Sequence, residues 1–212
     1  MVRTIFYFDG FNFYNGLKDK SENSPKWKSY YWLDFTKFCN SFLNQYTHIL
    51  VNVNYFTAPP SNSEKRSRQL TLFNANKIIE GNKFTIINGN YQDKQVKCNA
   101  DCKKVFYTQE EKRTDVAIAT KMLSDCFLDT VDLLILVSAD SDQIPSLRAI
   151  NNLFPKKKIK IYFPPKRYSD ELQKTCRDVI KLEDNESKFS ISVMPNIVTN
   201  SIKTYTKPTD WA

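Results

Sequence analysis

Leu133-Leu134-Ile135-Leu136-Val137 is the most constraining stretch of this chain: five apolar residues in succession, with no polar side chain to face water on either side. A strand of this composition is stable where both its faces are covered, as in the interior of a parallel sheet packed between helices. Ser138-Ala139-Asp140-Ser141-Asp142 follows at once. A buried strand therefore ends by delivering two carboxylates at its carboxyl end.

Other segments repeat the pattern. Residues 5–8 are an apolar run closed by Asp9-Gly10, residues 49–56 alternate apolar and polar, and residues 159–163 are apolar-rich between Lys156-Lys157-Lys158 and Pro164-Pro165. All read as strands. Between them, residues 33–43, 63–79, 114–127 and 144–154, and a shorter piece at 171–176, carry helical periodicity. Strands alternating with helices predict an α/β fold with a mostly parallel central sheet covered on both faces. In such a sheet, sites collect at the carboxyl ends of the strands.

Residues 84–107 break this rhythm, with a strand-like 84–87, a polar turn around Asn88-Gly89-Asn90, and a basic segment containing Cys98 and Cys102. They predict an irregular insertion or hairpin near 88–108. Residues 186–212 have apolar positions without a firm period and are expected to form a final strand, a wrapping arm or a partner contact. With 212 residues, no internal repeat and no linker, one domain over 1–212 is the expected organisation.

Thirty-one Lys and Arg against twenty-three Asp and Glu give a net charge of +8, which suits a polyanionic partner. No apolar run approaches the roughly 18 residues that a membrane span needs, and no secretion signal is read at the start. Five cysteines, an odd number in a chain too long to depend on disulfides, fit a reducing cytoplasm. Cys98 and Cys102 alone make half a tetrahedral zinc site. Four glycines and no phosphate-loop motif disfavour a glycine-cradled nucleotide site.

Asp9, Asp140 and Asp142 stand at strand ends, and helical geometry adds Asp115. At about 100° per residue, Val116, Ala119, Met122, Leu123 and Cys126 share one face, while Thr120, Lys121, Ser124 and Asp125 share the other. Asp115 falls in the apolar arc, so the first turn aims a carboxylate inward. An uncompensated buried carboxylate costs several kcal/mol or more, so a positive partner is expected. Mg²⁺ or Mn²⁺, which favour hard oxygen ligands, would serve, and the chain's one histidine, His48, does not suit a zinc hydrolase. Metal-assisted phosphodiester hydrolysis is the chemistry this donor set fits.

Three ordered motifs carry a resemblance: Phe8-Asp9-Gly10-Phe11-Asn12-Phe13-Tyr14, then Glu111-Lys112-Arg113-Thr114-Asp115-Val116-Ala117-Ile118-Ala119, then Val137-Ser138-Ala139-Asp140-Ser141-Asp142-Gln143-Ile144-Pro145. They resemble the signatures of NYN domains, the LabA-like branch of the PIN-like nuclease superfamily. The likeness spans residues 1 to about 165, and Met194-Pro195 and Pro208-Thr209-Asp210-Trp211 are similar to endings common in that family. The resemblance implies a Rossmann-like, PIN-type three-layer sandwich and a Mg²⁺- or Mn²⁺-dependent ribonuclease leaving 5′-phosphate and 3′-hydroxyl ends. By motif, Asp9, Asp115, Asp140 and Asp142 would hold metal, Asn12 would orient Asp9 or touch substrate, and Ser138, matching the small hydroxyl residue before the acidic pair, would contact RNA. Ala139 replaces a glycine found in many members; it restricts the turn but removes no ligand.

Cations at the rim should hold the RNA backbone. Lys112 and Arg113 beside Asp115 come first, then Lys65, Arg66 and Arg68 on the second helix, then Lys103 and Lys104. Phe11, Phe13, Tyr14 and the Tyr30-Tyr31-Trp32 run could stack on unpaired bases, although most of these rings suit core packing. Single-stranded or loop RNA is the expected partner, and a second copy of the chain is a further candidate. The rival from another class is a noncatalytic RNA-binding or adaptor module. An aspartyl phosphatase is disfavoured because Phe11 stands where that chemistry places a second Asp.

Overall fold

The computed structural model describes residues 1–97 and 105–211. In chain order the elements are β1 (Val2–Asp9), α1 (Gly10–Asn23), a 3₁₀ segment (Pro25–Tyr31), α2 (Phe35–Asn40), β2 (His48–Thr57), α3 (Ser63–Glu80), β3 (Phe84–Asn88), β4 (Asn90–Lys97) and β5 (Val105–Lys112). Then come α4 (Thr114–Phe127), β6 (Leu133–Val137), a 3₁₀ turn (Ser141–Gln143), α5 (Ile144–Leu153), β7 (Lys158–Phe163), α6 (Asp170–Thr175), β8 (Val179–Lys181) and α7 (Glu186–Ile191). The chain closes with β9 (Ile197–Thr199), β10 (Thr204–Thr206) and a 3₁₀ turn (Thr209–Trp211).

A six-stranded sheet runs in the order β3-β2-β1-β6-β7-β8, and every pairing in it is parallel. Side chains alternate across β1 as strand geometry requires. Phe6 and Phe8 join a core with Phe13 of α1, Phe35 and Phe38 of α2, Phe73 of α3 and Phe189 of α7. Ile5 and Tyr7 join the opposite core with Ile118 and Met122 of α4, Leu147 of α5 and Leu172 of α6. The result is the expected three-layer α/β sandwich, and β6, apolar throughout, lies in mid-sheet with every residue buried. Among the described residues, no helix is long and apolar enough to cross a membrane.

Several sequence expectations are corrected. Residues 84–87, strand-like as expected, do not break the rhythm: as β3 they extend the parallel sheet beyond β2. The departure from α/β rhythm is confined to β4 and β5, which pair antiparallel as a separate two-stranded ladder. The helix expected over 33–43 is only α2, because the Asp34 side chain accepts the amide of Lys37 and starts the helix there, while Leu33 bridges to Val193 in extended form. Helix α1 was not expected at all. Gly10 and Gly16 lower its intrinsic propensity, yet packing demands them: a Cβ at Gly10 would lie 2.4 Å from the Phe56 carbonyl oxygen, and one at Gly16 2.4 Å from that of Pro165. On α4, Val116 is 70% exposed and Asp125 is 3% exposed, the reverse of the expected faces. Asp115, itself exposed at the helix start, nevertheless shares the face of the buried Ile118 and Met122, one and two turns on.

The tail wraps the molecule. The Trp32 indole donates to the Pro195 carbonyl at 2.7 Å, and Val198 and Trp211 enter the core with Phe6 and Phe8. Cys98, Cys102, Lys103 and Lys104 lie outside the described residues.

Candidate metal centre

β1 and β6 are neighbours in parallel register, Phe8 opposite Val137, so both leave the sheet at the same edge. Asp9 is the last residue of β1, and its carboxylate is held from both sides. One oxygen accepts the Asn12 amide at 3.0 Å as the cap of α1, and the other accepts the Ser138 hydroxyl at 2.8 Å. Ser138 in turn accepts the Asp140 amide at 3.0 Å, and Asp140 accepts the amide of Asp142 at 3.0 Å. The Asn12 side-chain oxygen takes the Ala139 amide at 3.3 Å. Asn12 thus orients Asp9 through its backbone, while its side chain ties α1 to the loop after β6.

The third carboxylate arrives on α4. Arg113 precedes the helix in the left-handed conformation, φ 76°, a conformation uncommon for a residue with a side chain. Gly89 makes room for the helix start, since a Cβ there would lie 2.5 Å from Thr114 Oγ1. Gln143, buried and given no role by the sequence reading, donates to the Asp115 carbonyl at 3.3 Å and so links α4 to the acidic loop. Its signal in sequence was faint: a polar residue just ahead of an Ile-Pro helix start.

Asp9, Asp115 and Asp140 each present an oxygen within 4.8 Å of the others. Asp9 is buried, Asp140 half-buried and Asp115 more exposed. Asp142 stands outside this group, exposed, although its charge acts on Asp115. Burial raises Asp115 above the ordinary carboxylate value, the like charges of Asp140 and Asp142 push it further, and Gln143 pulls it back. Three oxygens from three separate elements come close enough that they could together hold a hard divalent cation. Mg²⁺ keeps several waters and takes few carboxylates, so the set fits it as well as Mn²⁺.

The cations named from sequence lie in different places. Lys112 and Arg113 are exposed at the entry to α4, and Arg113 borders a hollow with Ile87, Val116 and Thr120 on the outer side of that helix. Lys65, Arg66 and Arg68 occupy the first turns of α3, which follows the carboxyl end of β2 and so belongs to the acidic edge. Arg66 donates to the Pro60 carbonyl at 2.8 Å, and Arg68 pairs with Asp210 at 2.7 Å. His48 begins β2 opposite Val2, at the far edge from Asp9.

A parallel α/β sandwich whose carboxyl edge gathers aspartates from β1, α4 and the loop after β6 has the organisation of the PIN-like class of nucleases. The sequence agrees: a profile of the NYN domain matches residues 3–183, and the chain belongs to that family. Among solved structures, a protein of unknown function from Vibrio parahaemolyticus RIMD 2210633 is similar, with a TM-score of 0.56 over 87% of this chain and 94% of that one, at 17% identity. That likeness bears on the fold. Comparison with curated proteins finds no match.

Proposed function

We propose that the protein is a metal-dependent endoribonuclease that hydrolyses phosphodiester bonds of single-stranded or loop RNA. The observation that supports this reading is the convergence of Asp9, Asp115 and Asp140 within 4.8 Å in a chain of the NYN family. These residues would hold Mg²⁺ or Mn²⁺, with Asp142 at the margin. The bound ion would supply counter-charge to the phosphate and acidify water.

The chain's own groups do the positioning. The Ser138 hydroxyl and the Asn12 amide fix both oxygens of Asp9, and the Asn12 side chain holds the Ala139 amide so that the acidic loop keeps its shape. Preorganised ligands need no rearrangement when substrate arrives. Lys112, Arg113, Lys65, Arg66 and Arg68 would hold RNA phosphates around the acids, and the net charge of +8 would draw a polyanion to the surface.

Purified full chain should cleave single-stranded RNA in Mn²⁺ or Mg²⁺ and stop in chelator. Asp140→Asn should lower the rate more than about a hundredfold while the circular dichroism spectrum is unchanged. RNA binding without metal-dependent cleavage would overturn the reading in favour of a noncatalytic adaptor.

A further inference from the structure

On the β2 side of β1, the edge that carries Asp9 opens into a hollow of about 370 Å³ between the start of α1 and the first turns of α3. Small-molecule sites range from about 300 to 1,000 Å³, so this one suits a small flat group. It starts at Gly10 and Phe11, the residues directly after Asp9, and reaches Tyr55 and Thr57 at the carboxyl end of β2. The hollow and the acidic cluster are therefore adjoining parts of one sheet edge.

Its walls are aromatic in an unusual way. On α1, Phe13 is 2% exposed and packs in the core, whereas Phe11 is 55% exposed and Tyr14 is 42% exposed, and both border the hollow. Core packing accounts for the first ring and leaves the other two. Behind Tyr14 the rings continue: Tyr31 lies 5.4 Å away, and Trp211 a further 5.7 Å from Tyr31. Trp211 comes from the chain's last residues, secured there by the ion pair between Arg68 and Asp210. Among these rings stand polar groups of a particular kind. Lys65 offers a cation, Asn15 an amide, and Gln69, which donates to Thr57 Oγ1 at 3.0 Å, a second amide.

Flat apolar faces, amide edges and a cation at one wall are what an unpaired base and its phosphate require. Rings stack on the base, amides meet its hydrogen-bonding edge, and the ammonium meets the backbone. A base inside a duplex could not enter.

We propose that this hollow is a base-binding subsite, which takes one unpaired nucleobase of single-stranded RNA next to the bond cut at the acidic cluster, with Phe11 and Tyr14 as its stacking surface and Lys65 on the neighbouring phosphate. The inference deepens the ribonuclease reading and rests on it for the position of the cut. It makes the enzyme selective for unpaired strands and gives it a base preference at one position.

The test uses the full chain. Ends produced in Mn²⁺ from a mixed-sequence single-stranded RNA are mapped, and binding of a short fluorescein-labelled single-stranded oligoribonucleotide is measured in the Asp140→Asn background. Expected are a skewed base composition at one position beside the cut and little cleavage of the same sequence as a duplex. Phe11→Ala and Tyr14→Ala should each weaken oligomer binding about fivefold or more and flatten the skew, and Tyr14→Phe should restore both. Unchanged affinity and end profile in both alanine variants, or equal cleavage of the duplex, would overturn the subsite while leaving the nuclease reading intact. Absence of any cleavage, with Tyr14→Ala still weakening oligomer binding, would sink the nuclease reading and keep the base site.

Discussion

The two edges of the central sheet both gather aspartates and treat them in opposite ways. Toward the amino edge, Asp132 accepts the Arg3 amide at 2.9 Å and its guanidinium at 2.7 Å, Asp129 pairs with Arg3 and Lys157, and Asp125 accepts the Tyr7 hydroxyl at 2.8 Å and the Lys121 ammonium at 2.6 Å. At the carboxyl edge, Asp9 and Asp140 accept amide and hydroxyl donors, but the charges acting on Asp115 are those of Asp140 and Asp142. Helix α4 spans the contrast, with Asp115 in its first turn and Asp125 in its last. Neutral donors orient a carboxylate, whereas only a cation neutralises a cluster of them. In a chain with net charge +8, cations are not scarce. The first set is held by ion pairs with Arg3, Lys121 and Lys157; in the second, like charges act on Asp115, which a divalent cation would offset.

The largest effect on stability should come from breaking the compensated end. Asp125→Ala removes the acceptor of a buried Tyr7 hydroxyl and leaves Lys121 without its partner, while the Thr130 hydroxyl keeps the backbone carbonyl of residue 125. A stranded buried donor costs about 1 to 3 kcal/mol, and urea denaturation should show a loss of about 3 kcal/mol. A loss under about 1 kcal/mol would mean that Asp125 is not held as the structure implies.

The next effect sharpens the other side. Mn²⁺ at a hundred times its dissociation constant should stabilise the folded chain by about 2.7 kcal/mol. That gain should fall away in Asp9→Asn, Asp115→Asn and Asp140→Asn, followed by thermal unfolding. Without metal, Asp115→Asn should leave the protein as stable as before or slightly more so, because it removes a repelling charge. An undiminished Mn²⁺ shift in all three variants would place the cation elsewhere and erase the contrast between the edges.

Much of this contrast was legible in the sequence, for reasons particular to each residue. Asp9 and Asp140 follow apolar strands, and any parallel sheet exposes the ends of such strands together. Asp115 was found by helical phase, although the same wheel misplaced Val116 and Asp125. The wheel ranks faces by polarity, and Asp125 is buried because Tyr7, inward on β1, brings it a hydroxyl. That pairing links residues 118 positions apart, which no local pattern contains. Helix α1 stayed hidden because Asp9-Gly10 read as the close of a strand, and Gly10 and Gly16 weaken a helical pattern. Both glycines are set by close approaches of the chain at Phe56 and Pro165. Gln143 and the ring wall of Tyr14, Tyr31 and Trp211 depend on the same kind of long-range meeting.

The smallest effects should appear on acidification, and their signs oppose each other. Asp115 has a folded-state pKa above the ordinary value of 3.8, so its charge destabilises the metal-free fold at neutral pH. That penalty is relieved as pH falls through the raised value toward 3.8, and stability rises there. Asp132 is held well below 3.8, chiefly by the Arg3 guanidinium, so the stability it provides is complete above 3.8 and is lost as pH falls toward its folded value. Because Arg3 and Asp132 are both partly exposed, solvent screening keeps this contribution small. In metal-free protein, Asp115→Asn should flatten the rise on the higher side of pH 3.8, and Asp132→Asn should flatten the fall on the lower side. Added salt should shrink the Asp132 effect. If Asp115→Asn instead removed a fall on acidification, its carboxylate would have a cationic partner, and the acidic edge would be as compensated as the other.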